Sequence, residues 1–103
     1  MRLVITLAST VLLALPALAQ ANPRVGQRLA EANCSRCHAV GHAGDSPLPI
    51  APPFRTLHTR YPVESLAEAL AEGIVTGHPS MPEFRLEPDR IDNLIAYLRT
   101  LER

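Results

Sequence analysis

Cys34, Cys37 and His38 are the residues whose types and spacing could do chemistry together. In Cys34-Ser35-Arg36-Cys37-His38 two thiols stand three positions apart, and an imidazole follows the second directly. This is the spacing that covalent attachment of a c-type haem requires. Each thiol can add its S–H across one haem vinyl group, and two intervening residues match the separation of those vinyls. The paired thioethers would fix the backbone against the ring edge and bring His38 over the iron. No other cysteine is present, so no disulfide framework competes for this pair. A thioredoxin-like couple would want a βαβ context, and a zinc site would want a second Cys/His pair at ligand spacing. The sequence offers neither, so the motif predicts one covalently bound haem c, with Cys34 and Cys37 as anchors and His38 as the metal ligand.

An iron with one histidine needs a second axial ligand or an open position. Met81 and three histidines, His42, His58 and His78, are the candidates, because Met1 departs with the leader described below. A lone Met more often fills a core. Met81, however, lies between Pro79 and Pro82 in a stretch without helical periodicity, where the prolines would stiffen a loop presenting a thioether. Met81 is the expected sixth ligand and His78 its rival; His42 and His58 are expected in solvated loops.

The elements that must position these residues begin after a leader. Arg2 gives a positive start, Leu3 to Leu15 is almost wholly apolar, Pro16 breaks the run, and Ala17-Leu18-Ala19 or Ala19-Gln20-Ala21 supplies a cleavage pattern. Residues 1–21 are therefore expected to be a secretory signal cut after Ala19 or Ala21. The alternative, an uncleaved anchor, would need about 20 apolar residues to span a bilayer, more than this run provides. Cleavage predicts a periplasmic protein without stable membrane insertion, and places the thiols where haem attachment occurs.

Residues 22–103 are expected to form one domain. After cleavage nine Arg face ten acidic residues, a net charge of −1, and the chain has no Lys. A basic nucleic-acid surface is therefore not expected. A domain of this size is marginal on its own side chains, and a large apolar cofactor would complete its core.

The periodicity predicts three helices. The first spans Pro23 to Ala32, with Asn22 as N-cap, Pro23 at the first position, and Val25, Leu29 and Ala32 on the buried face. Gly26 lies in its interior at a cost of about 1 kcal/mol, which a close helix crossing would explain. The second spans Val63 to Glu72, with Val63, Leu66, Ala67, Leu70 and Ala71 as its stripe. Gly73 follows as a terminating glycine, and Ile74 packs back on the last turn. The third spans Pro88 to Leu101 and buries Ile91, Leu94, Ile95, Leu98 and Leu101. Between Ala39 and Pro62, Pro47, Pro49, Pro52 and Pro53 predict a long non-helical loop wrapping the His38 side, with Ile50, Pro52, Pro53 and Phe54 as its apolar group.

Taken together, Gly26 in the first helix, Cys34-Ser35-Arg36-Cys37-His38, the Pro-rich loop with Pro52, Met81-Pro82 and Tyr97-Leu98 in the last helix resemble a bacterial class I, monohaem c-type cytochrome across the whole mature chain. The resemblance implies an all-α small cytochrome c fold, with three main helices and long loops wrapped around one covalently bound haem. Its first and last helices would cross beside the haem, with Gly26 under Leu94, Tyr97 and Leu98. It also implies that the Pro52 carbonyl accepts the second ring N–H of His38. Where the family often has an aromatic one turn after the glycine, this chain has Leu29-Ala30, which implies a looser crossing.

With both axial positions filled, the expected function is one-electron transfer between redox protein partners (a dehydrogenase, oxidase or reductase), without catalysis. Two alternatives stay open. The chain could be the haem subunit of a periplasmic dehydrogenase complex. If Met81 is labile, it could be a haem-based ligand sensor or weak peroxidase.

Overall fold

Asn22 starts the first helix. In the computed structural model, which describes residues 1–12, 20–73, 81 and 85–103, its backbone is extended (φ −111°, ψ 110°). Its side-chain oxygen accepts the N–H groups of Arg24 at 3.0 Å and Val25 at 3.4 Å. Two of the helix's otherwise partnerless donors are thereby satisfied, and Pro23 follows with its backbone already at a helical φ. Helix α1 runs Pro23–Asn33, one residue past the predicted end.

The buried face of α1 differs from the expected one. Gly26, Leu29 and Ala30 are buried, while Val25 is 38% exposed and Ala32 is on the surface. The reason is the crossing. A Cβ built on Gly26 would lie 2.5 Å from the Asn93 carbonyl carbon and 2.9 Å from Tyr97 Cβ. The face therefore centres on the glycine where the backbones touch, and its neighbours at i+3 and i+4 are Leu29 and Ala30. The looser crossing inferred from Leu29-Ala30 is not found, since the small Ala30 is fully buried.

After α1 the chain enters the stretch predicted to be free of helix. A 3-10 helix nevertheless spans Phe54–Thr59. Pro52 and Pro53 forbid an α-helix through themselves but not a tight turn beginning just after them, and the Pro53 carbonyl accepts the Thr56 N–H at 3.0 Å. The predicted second helix is divided. Its first turn is a 3-10 helix, Val63–Ser65, and α2 follows as Leu66–Glu72. Val63 and Leu70 are buried, Leu66 and Ala67 pack partly against the core, and Ala71 is exposed, contrary to the expected stripe. Gly73 ends α2 at φ 101°, a conformation that strains any L side chain.

Helix α3 spans Pro88–Thr100, with Leu101 as its capping residue. It buries all the residues predicted for it, and Tyr97 besides. Among the described residues Leu98 and Val63 are the largest fully buried side chains, each contributing about 1.5–3 kcal/mol of apolar burial. Helix α3 packs chiefly on α1 and also on α2. Among the described residues there is no strand, and the fold is all-α, as expected.

Residues 1–12 are exposed and have no regular secondary structure. Among the described residues no helix is long and apolar enough to cross a membrane. Pro16 and Ala17-Leu18-Ala19 of the expected leader, and Ile74, lie outside the described residues.

Candidate functional site

The attachment motif is the continuation of α1. Cys34 N–H donates to the Ala30 carbonyl at 2.8 Å, as the next helical bond would. The Cys34 carbonyl then accepts both Cys37 N–H, at 3.2 Å, and His38 N–H, at 2.9 Å. One turn thus gathers the two thiols and the imidazole. Both cysteines are free and half-buried. Burial pushes the Cys34 thiol up to about 11, so it rests protonated at neutral pH.

His38 is held from its far side. Its Nδ1 lies 2.8 Å from the Pro52 carbonyl oxygen. A carbonyl can only accept, so the proton of the neutral ring sits on Nδ1 and the lone pair on Nε2. The Phe54 ring packs beside the imidazole, centroid to centroid 5.0 Å at 46°. Pro52 and Pro53 are half-buried, while Ile50 is 56% exposed; Ala51, not Ile50, is the buried member of that group.

The loop carrying Pro52 is tied to the motif at several points. Leu48 N–H donates to the Cys37 carbonyl at 3.1 Å, and Phe54 N–H to the Ala39 carbonyl at 2.9 Å. Ala39 N–H donates to Ser46 Oγ at 3.0 Å, and Arg55 donates to the Gly44 carbonyl at 2.7 Å. The Tyr97 hydroxyl of α3 donates to the Val40 carbonyl. In the sequence Tyr97 is only a family mark, and Ser46 carries no sign of this role. A hydroxyl's reach across 57 positions leaves no trace in local pattern.

Of the other candidate ligands, His42 is exposed, and His58 is exposed on the 3-10 helix instead of in a loop. Met81 is half-buried. Its rival His78, and the flanking Pro79 and Pro82, lie outside the described residues.

Residues 21–98 match the family model described as cytochrome c oxidase, cbb3-type, subunit III. The chain belongs to this c-type cytochrome family. No curated protein matches it at a significant level. As a cytochrome c domain, the chain implies haem-based electron transfer and redox partners in general. Its residues fit that cofactor. Two unpaired thiols and a histidine share one turn, and the bond to Pro52 leaves Nε2 as the free donor atom, the form in which imidazole binds a metal. Among the described residues no three His, Cys, Asp or Glu side chains converge as a metal cage. A porphyrin, which brings four nitrogens of its own, asks only for axial ligands.

Proposed function

We propose that this cytochrome is a periplasmic one-electron carrier with a single covalently bound haem and His/Met ligation. The observation that carries the reading is the bond from His38 Nδ1 to the Pro52 carbonyl. It fixes the tautomer and ring direction, and by drawing on the Nδ1 proton it makes Nε2 a better donor. Cys34 and Cys37 would hold the group through thioethers, each sulfur bonding one vinyl carbon while its proton goes to the neighbouring carbon. His38 and Met81 would take the two axial positions. A haem held this way supplies one reversible electron at its iron, and a Met/His pair raises its potential. The chain's own part is to keep the ligands in place and present a small surface to transient partners. No catalytic residue is assigned.

Removal of the leader after Ala19 or Ala21 accords with this location, and intact mass of the native protein tests both points together. One haem added to a chain beginning at Gln20 or Asn22 is the expected result. A full-length, membrane-extracted species would refute cleavage.

Redox titration of Met81→Ala beside His78→Ala tests the sixth ligand. Met81→Ala should change the potential and admit added ligands; a wild type that already admits them would mean that Met81 is labile and would support the sensor or weak peroxidase reading. If only His78→Ala does so, His78 is the ligand.

A second reading is favoured by the description of the matching family, a subunit of an oxidase. The chain would then serve as the haem subunit of an oxidoreductase complex, with the same chemistry and a fixed partner. Co-purification of the native protein with a stoichiometric partner supports that reading; isolation as a free monomer supports the carrier.

A further inference from the structure

The segment that carries Met81 leaves α2 at Gly73 and returns at Arg85 and Leu86. At its two ends the chain is joined by a pair of hydrogen bonds. Leu86 N–H donates to the Leu70 carbonyl at 2.9 Å, and Arg85 Nη2 donates to the Glu72 carbonyl at 2.9 Å. Both acceptors belong to the last four carbonyls of α2, which have no partner within the helix. The two bonds differ in kind. Leu86 is buried among the core residues, so its N–H is held by packing. Arg85 is exposed, and its guanidinium sits at the negative end of α2 with nothing but this contact to define it among the described residues.

We propose that Arg85 is a positioning residue for the sixth ligand. By holding the Glu72 carbonyl it fixes the end-to-end span from which Met81 is presented, four positions before Arg85 itself. Arg85 acts through the backbone and makes no contact with the iron. Without the bond the returning end is held to α2 through Leu86, and each added arrangement of that end lowers the fraction with sulfur in place. The apparent affinity for an added ligand rises as that fraction falls. The inference rests on the reading of Met81 as the sixth ligand.

The test is an imidazole titration of the ferric holoprotein as wild type, Met81→Ala, Arg85→Ala and Arg85→Lys. Its readouts are the near-infrared band of Met sulfur bound to ferric iron and the reduction potential. Arg85→Ala should raise apparent imidazole affinity about 3- to 10-fold, the range expected from one lost hydrogen bond, with a weaker band and a lower potential. Arg85→Lys, which keeps a cationic donor, should lie between it and wild type. If Met81→Ala alters neither affinity nor band, the sixth-ligand reading itself falls. If Met81→Ala opens the site while Arg85→Ala keeps wild-type affinity, band and potential, the positioning role is overturned, even where thermal stability drops. Should Arg85→Ala not fold, Arg85→Gln carries the same comparison with a shorter neutral donor.

Discussion

The Gly26 Cα faces the backbone carbonyl of Asn93 with no room for a methyl group between them. The same two helices are joined a turn earlier, where Asn22 N–H donates to Asn93 Oδ1 at 2.7 Å. Asn93 therefore receives α1 twice, once through its side chain and once through its carbonyl. Crossing point and helix start are fixed by one residue.

Gly26→Ala should destabilise the protein by about 1–3 kcal/mol or more, since the obstacle is backbone and cannot change rotamer. Gly41→Ala is the matched control, because a Cβ there meets nothing within 4 Å. Thermal unfolding of the two holoproteins checks this. Equal midpoints would mean that the helices can slide apart freely.

Asn22→Ala removes the N-cap of α1 and should cost about 0.5–2 kcal/mol. Asn93→Ala removes the acceptor of the Asn22 N–H instead. If both contacts define the helix start, a double-mutant cycle between them should show coupling, and strict additivity would argue that they act separately.

Tyr97→Phe should cost about 1 kcal/mol through loss of the hydroxyl donor to Val40. It should also remove a pH dependence. Burial first, and the Glu31 charge second, raise the Tyr97 phenol above its ordinary value of 10.0. Between the unfolded and folded values the native state binds more protons, so stability falls as pH rises. This contribution is complete below about pH 10 and is lost as pH climbs through the raised folded value. Denaturant midpoints measured from neutral pH upward should converge for wild type and Tyr97→Phe at the alkaline end. A constant gap would remove Tyr97 as the source.

Arg99 Nε donates to Glu64 Oε1 at 2.7 Å across the α3 surface, with both side chains more than half exposed. Glu64's own backbone N–H, then Arg99, lowers its carboxyl pKa. Any stability from it is present above the ordinary value of 4.5 and is lost as pH falls through the depressed folded value. Solvent screens such a pair, so Glu64→Gln should leave the neutral-pH midpoint almost unchanged. A marked drop would show that this contact anchors the Val63–Ser65 turn to α3.

By itself the sequence pointed to a c-type cytochrome, located the three helices to within a turn and named the residues α3 buries. Thiol spacing is a covalent constraint, and the α3 stripe and the Asn22-Pro23 start are local rules, readable without neighbours. Tertiary structure decided what depends on contact between distant segments. The buried face of α1 turned to Gly26 because of where Asn93 lies, not because of which α1 residues are most apolar. Thr56 closes a 3-10 turn on Pro53 in a stretch whose prolines concealed it, since one i to i+3 bond has no periodicity to read. The loop from Ala39 to Pro53 takes its shape from Tyr97, Ser46 and the Cys37 and Ala39 carbonyls. Each of these donors and acceptors gains a partner only when the chain has already folded back on itself, and no spacing in the sequence encodes that meeting.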